Sequence, residues 1–267
     1  MKTISVLLMT CAGLVAQDSA NRFSVPFSDP SRPGLVSGSM NNSCFDVEGY
    51  EGKEVVIETR GSGDHETKHV PHGAEGLKRI EPTGLGLTVE EDNNTVHIHS
   101  NSGRGGNLFL RVPYNTSLKL KCLNGGAIAV HHVSGDLELE NLNGAVTATN
   151  VSGTVLANSL NGRVMVTMDK VTPGKPMSFS SLNGDVDVTL PADTRGTVKM
   201  KTDNGDIYSD FEVKLSPTSS MPQVEDGRSK GGKYRVKIDK TTVGNINGGG
   251  PDLDFKTFNG NIYIRRK

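Results

Sequence analysis

No tryptophan occurs in this chain, cysteine occurs only three times, and the formal charge at neutral pH is −1. So balanced a charge gives no long-range pull toward nucleic acid or an anionic membrane surface. Also missing are a phosphate-cradling glycine loop, a Ser/His/Asp spacing, paired-cysteine motifs and the calcium-binding glycine-aspartate nonapeptide. The expectation is a protein that is not an enzyme, uses no cofactor and has no nucleic-acid partner. No segment carries a convincing helical period. After the first residues, no apolar run is long enough to span a membrane, so no transmembrane span is expected in the mature chain.

What is abundant is glycine, at 32 of 267 residues, and much of it sits in one recurring phrase. Leu-Asn-Gly stands at Leu123-Asn124-Gly125, Leu142-Asn143-Gly144, Leu160-Asn161-Gly162 and Leu182-Asn183-Gly184, followed by Asp203-Asn204-Gly205 and Phe258-Asn259-Gly260. The asparagines are 19, 18, 22, 21 and then 55 residues apart. A period near twenty marks a stacked array. A second turn divides several units, at Ser134-Gly135, Ser152-Gly153 and Arg195-Gly196, so each unit is two short strands and two corners.

Alignment on the asparagine assigns faces. Six residues before it stand Leu118, Leu137, Val155, Met177, Val198 and Leu253, and four before it Leu120, Leu139, Ala157, Phe179, Met200 and Phe255. The positions between are mostly polar, as in Lys119, Glu138, Ser178 and Lys199. Such alternation marks a half-buried strand, because successive side chains leave opposite faces. After the corner the inward set continues through Val146, Val164, Val186, Ile207 and Ile262. The predicted fold is an all-β solenoid, parallel β-helix-like, with rungs of about 18–22 residues. An antiparallel β-meander, with Asn-Gly making hairpin turns, is the alternative. In the corner motif, glycine is expected to supply positive φ and asparagine to tolerate it. Stacked rungs would also bring Asn124, Asn143, Asn161, Asn183, Asn204 and Asn259 into an amide ladder.

The chain divides as follows. Residues 1–17 carry Lys2 and then the apolar run Ile4 to Val15, which reads as an export signal cleaved between Ala16 and Ala20. Localisation is therefore expected outside the cytoplasm: periplasmic, cell-surface or secreted. Residues 18–33 form an extended lead-in with Phe23, Val25 and Phe27 alternating. Residues 34–267 form one solenoid domain with loop insertions at about 60–84 and 216–232. Gly34 to Thr59 reads as a degenerate opening unit, Gly244 as lying near a turn, and Arg265-Arg266-Lys267 as a charged guard on the last strand. Once the signal is removed, Cys44 and Cys122 are either one disulfide or two separate thiols.

Three surface features could carry chemistry. His97 and His99 share the outward face of a strand, a spacing that binds zinc or copper if a third ligand converges; His131 and His132 stand at a turn, and His65, His69 and His72 in the first loop. Asp185 and Asp206 share a column of successive units, with Asp187 nearby and Arg163 one rung back, so stacked acids could hold calcium or serve a polysaccharide-active site. Thr149, Thr167 and Thr189 align outward as a polar ladder. Each has a plainer explanation, as solvated histidine, turn aspartate or β-favouring threonine.

The Leu-Asn-Gly units, the run Ser181 to Pro191, and the closing Gly248-Gly249-Gly250-Pro251 with Phe258 to Ile262 resemble the bacterial putative-adhesin family, a domain of unknown function found in exported and cell-envelope proteins. The resemblance covers Gly34 to Arg266. It implies a β-solenoid without catalytic residues and carries over no site residue. The function expected is a non-enzymatic cell-envelope or surface module, adhesin-like, with an envelope protein or glycan as partner. Two alternatives stand beside it: a carbohydrate-binding or carbohydrate-active β-helix using the stacked aspartates, and a metal-binding envelope protein using the histidines.

Overall fold

Alternation of apolar and polar residues produces strands throughout the computed structural model, which describes residues 22–59, 86–100, 108–216 and 240–267, and the backbone alone of 223–226 and 234–237. Segment 1–17, His65, His69, His72 and most of both expected loop insertions lie outside the described residues. No α-helix occurs among the described residues, hence none long and apolar enough to cross a membrane.

The strands are, in chain order, β1 (Arg22–Pro26), β2 (Leu35–Met40), β3 (Phe45–Tyr50), β4 (Glu54–Thr59), β5 (Leu87–Asp92), β6 (Thr95–Ser100), β7 (Leu108–Pro113), β8 (Ser117–Cys122), β9 (Ile128–His131), β10 (Ser134–Asn141) and β11 (Val146–Ser159). There follow β12 (Val164–Val171), β13 (Met177–Ser181), β14 (Val186–Leu190), β15 (Gly196–Asn204), β16 (Ile207–Ser209), β17 (Lys214–Leu215), β18 (Gln223–Asp226), β19 (Tyr234–Lys237), β20 (Thr242–Ile246), β21 (Asp252–Asn259) and β22 (Ile262–Arg266).

Each solenoid coil is two of these strands, and adjacent coils pair in parallel. The order along the stack is β6–β7, β2–β3, β8–β9, β10 with the first half of β11, the second half of β11 with β12, β13–β14, β21–β22, and β15–β16. The parallel solenoid is therefore the fold, and the antiparallel meander is not. Strand β11 rounds a corner without a break, with Asn150 at φ 55° and Gly153 at φ 121°. Within the solenoid sheet, antiparallel strands lie toward the ends of the stack: β5 on β6, β4 on β7 with β1 on β4, and β20 on β15 with β17 on β20; β18 and β19 pair antiparallel in a separate two-stranded sheet.

This order differs from the chain order at both ends. The coil containing Gly34 to Tyr50 is not outermost, because β6–β7 stacks outside it. Likewise the last coil, β21–β22, is inserted between β13–β14 and β15–β16. Strand β22 thus has neighbours on both sides, so the basic C-terminus does not guard an edge. Instead Arg265 grips Asp187 through Nε and Nη2 at 2.8 and 3.1 Å, and Lys267 pairs with Asp169. The turn expected near Gly244 lies just after it: Gly244 is in β20, and the chain reverses at Asn247, Gly248 and Gly249, all with positive φ.

The inward columns close a continuous apolar interior. Leu118, Leu137, Val155, Met177, Val198 and Leu253 are all buried, as are Leu120, Leu139, Ala157, Phe179, Met200 and Phe255. Phe179 and Phe255, on neighbouring coils, stack with centroids 5.3 Å apart. Each fully buried aliphatic or aromatic side chain of this kind contributes about 1.5–3 kcal/mol relative to exposure. At the C-terminal end the column ends: Ile207 is only half-buried and Ser209 is exposed.

Candidate functional site

The corners build the first surface feature. Asn143 Nδ2 donates to Asn124 Oδ1 at 2.6 Å, Asn161 to Asn143 at 2.8 Å, Asn183 to Asn161 at 2.8 Å, Asn259 to Asn183 at 2.8 Å and Asn204 to Asn259 at 2.8 Å. All donate in one sense along the stack, and the order records the insertion of Asn259 before Asn204. Of the corner glycines only Gly260, at φ 155°, has the positive φ expected; the others serve another purpose. Gly144, Gly162 and Gly184 do not have positive φ. Rather, a Cβ on Gly144 would lie 1.9 Å from the carbonyl oxygen of Gly126, and one on Gly162 2.4 Å from that of Gly144. Close approach of stacked backbone, not left-handed conformation, fixes glycine here.

Two residues before each asparagine runs an inward polar column that the apolar pattern did not reveal. Ser159, Ser181 and Thr257 donate their hydroxyls to the carbonyls of Gly144, Gly162 and Gly184 at 2.8 Å each, and Asn141 reaches Gly126 at 2.7 Å. Each satisfies a carbonyl turned inward at the corner below. In the same column Cys122 is joined to Cys44 by a disulfide, with Cα atoms 5.7 Å apart. This bond ties the displaced N-terminal coil to the main array.

The residue directly before each asparagine points outward. Leu142, Leu160, Leu182 and Phe258 are 37, 38, 41 and 45% exposed. They form an apolar stripe along the stack, beside the asparagine ladder. The leucine of the repeat, which resembles a core signal, is a surface residue.

The sheet made by β2, β8, β10, the second half of β11, β13, β21 and β15 carries two depressions. One, of about 650 Å³, opens where these strands begin; Lys119, Asp136, Glu138, Lys175 and Leu156 are among its walls. Its charges are paired within the chain: Lys175 holds Asp136 at 2.9 Å and Lys119 holds Glu138 at 3.0 Å. The Thr154 hydroxyl and then the Lys175 ammonium keep the Asp136 carboxyl below its ordinary pKa. The second depression, of about 330 Å³, lies at the other end of the strands, walled by Leu160, Leu182 and Phe258 with Lys201, Lys256 and Asp203 at its rim. Leu156, 46% exposed, borders the first and Asn158 the second. Two residues along one strand is about 7 Å, so the depressions form a diagonal path across one face.

The aspartates occupy the neighbouring face. Asp185 and Asp206 share a column but not adjacent coils, because Asn261 of the inserted coil stands between them. Asp185 Oδ1 accepts from the Asn261 backbone at 2.7 Å, and Asn261 Oδ1 accepts from the Asp206 backbone at 2.9 Å. The expected succession of stacked acids is therefore interrupted. Asp187 is engaged by Arg265, whose guanidinium lies 5.2 Å from the Tyr263 ring centroid. Tyr263 stacks on Tyr208 at 5.3 Å and 11°. Coulombic repulsion from Asp206 raises the Tyr208 pKa. Nothing in sequence spacing brought Tyr263 to Asp187, since the two are joined only by the insertion.

His97 lies between Ser37 and Glu90 of its neighbouring strands, and His99 between Ser39 and Thr88. His132 Nδ1 is 2.8 Å from Glu48 Oε1. No group of three or more His, Cys, Asp or Glu is placed to hold a metal among the described residues. Thr149, Thr167 and Thr189 stack in register, continued by His131 on one side and Arg265 on the other.

No curated protein matches this chain. A putative cell adhesion protein from Clostridium sporogenes aligns over 92% of this chain and 99% of its own, with 9% identity and a TM-score of 0.45. A putative adhesin from Bacteroides fragilis aligns over 93% and 98%, with 11% identity and a TM-score of 0.40. Residues 130–247 of this chain match a family model described as Toastrack DUF4097.

Proposed function

We propose that the chain is an exported, non-enzymatic, adhesin-like surface module that holds an envelope protein or glycan along the flat face bearing the two depressions. The observation that carries this reading is their diagonal continuity through Leu156 and Asn158. A rigid, repetitive sheet suits extended polymers better than small substrates, because equivalent contacts recur at every coil. Further support comes from pairing: Asp136, Glu138 and Asp187 are each committed to a cation, a poor arrangement for proton transfer. The apolar leader Ile4 to Val15 supports export. The test is whether the leader is cleaved and the protein reaches the envelope in cell fractionation, and whether the purified chain binds whole cells or glycan arrays. Retention in the cytoplasm, or turnover of an acidic polysaccharide, would contradict the proposal.

A second reading, saccharide binding on the aspartate face, is favoured by one observation. Tyr208 is 52% exposed and presents an aromatic surface beside Asp206, the combination that stacks against a sugar ring while accepting its hydroxyls. Loss of glycan-array signal in Tyr208→Ala, with retention in Leu156→Ser, would select this reading over the first.

A further inference from the structure

The amide ladder has two unlike ends. Asn143, Asn161, Asn183, Asn259 and Asn204 each donate Nδ2 to the Oδ1 of the coil before them in the stack. Asn124 begins the ladder: its Oδ1 accepts from Asn143 at 2.6 Å, and its own Nδ2 donates to nothing among the described residues. Each of these six asparagines is exposed and precedes a glycine. That pair is chemically reactive, because a glycine nitrogen, with no Cβ on its residue to hinder it, can attack the preceding side-chain amide.

We propose that Asn124 is a self-modification site, converting to aspartate and isoaspartate ahead of every other Asn-Gly step and so giving the folded protein one added negative charge with age. The only co-reactant is water. The Gly125 nitrogen gives up its proton to hydroxide and forms a bond to Asn124 Cγ. The Cγ–Nδ2 bond breaks, ammonia leaves with a proton taken from water, and a cyclic imide remains. Water then opens either carbonyl of the imide, leaving aspartate or isoaspartate at 124.

The reacting atoms single out this corner. Negative charge develops on Oδ1 during the attack, and the Asn143 amide stands there as a donor, the arrangement that stabilises an oxyanion. The departing atom is Nδ2, which the ladder holds at every other corner. The attacking nitrogen is unoccupied as well: Gly125 lies between β8 and β9 and donates to no backbone carbonyl among the described residues, whereas Gly184 donates to Asn259 O at 2.9 Å and Gly260 to Asn204 O at 3.1 Å. Next in the chain, Gly126 has φ 104° and open space beside it, so the corner has room to turn.

The remaining asparagines differ at the atom that must leave. At the far end of the ladder Asn204 has its Nδ2 held by Asn259 at 2.8 Å. Asn247, which precedes Gly248 outside the ladder, has its Nδ2 held by the Ala192 and Thr194 carbonyls at 3.0 and 2.7 Å. The aspartate product also suits position 124 alone. A carboxylate offers only acceptors. At 124 it still accepts from Asn143, with charge assistance, whereas at Asn143 or beyond it would confront the Oδ1 of the preceding coil.

The test ages the folded protein in mildly alkaline buffer and assigns products by mass spectrometry with electron-transfer fragmentation, which separates aspartate from isoaspartate. Peptides released by digestion before ageing are the reference. In the folded protein Asn124 should react about tenfold faster than any other Asn-Gly step, the rate equivalent of about one amide hydrogen bond. The released peptides should all react at similar rates. Asn124→Ala should move the reaction to Asn143, whose Nδ2 then lacks its acceptor. Asn124→Asp should keep the urea midpoint of the parent, whereas Asn161→Asp should lower it. The proposal is overturned if Asn204 or an interior asparagine reacts first, if all corners react at one rate, if the preference for Asn124 persists in the released peptides, or if Asn143 stays inert in Asn124→Ala.

Discussion

At the scale of single residues, the asparagine ladder and the crowded glycines make different predictions. Asn161 is both donor to Asn143 and acceptor from Asn183. Its replacement by alanine removes two exposed amide bonds and should lower stability by about 1–2 kcal/mol, read as a reduced urea midpoint. Gly162→Ala forces a Cβ against the Gly144 carbonyl, 2.4 Å away. It should cost about 3 kcal/mol or more, because backbone cannot step aside as a side chain can. A third prediction concerns pH. The Thr154 hydroxyl and Lys175 hold the Asp136 carboxyl below its ordinary value in the folded chain, so the unfolded chain takes up the proton first. The stabilisation is complete above an unfolded pKa of about 3.9 and is lost as pH falls through the lower folded value. Melting curves from about pH 6 down to about pH 2 should show Asp136→Asn losing less of its melting temperature than the parent. The asparagine positions were legible in the sequence because a repeated polar residue at a corner has few places to turn. The role of glycine was not, since positive φ and close approach select the same residue. Nor was the direction of the leucine, which local pattern cannot assign at a corner where alternation stops.

At the scale of strands, the alternating columns predicted the buried apolar positions six and four residues before each asparagine, from Leu118 to Met200, because period two is set by the pleat and survives any order of stacking. The stacking order itself was hidden. Pairing β21 with both β13 and β15 joins segments on either side of residues 217–239, and nothing local distinguishes a coil that ends the stack from one inserted within it. The aromatic cluster of Tyr208, Tyr263 and Arg265 was invisible for the same reason. At the other end the displaced coil β2–β3 is held by the Cys44–Cys122 bond, which spans 78 residues of chain. Closing so long a loop restricts the unfolded chain, so reduction or Cys44→Ser/Cys122→Ser should lower stability by about 2–4 kcal/mol. Amide exchange should then quicken first in β2 and β3, the strands the bond secures.

At the scale of the molecule, function depends on faces that exist only when coils from distant parts of the chain lie side by side. The stripe continues from Leu182 to Phe258 because β21 sits on β13, and the aspartate face gains its aromatic platform because β22 sits on β14. Paired cysteines test this order directly under mild oxidation. Leu182→Cys with Phe258→Cys places two thiols on adjacent strands one corner position apart, within the Cα separation of about 4.4–6.8 Å that a disulfide accepts. Leu182→Cys with Asp203→Cys places them two coils apart, about 9.6 Å. The account predicts that the first pair closes and the second does not; closure of the second pair in preference to the first would contradict it.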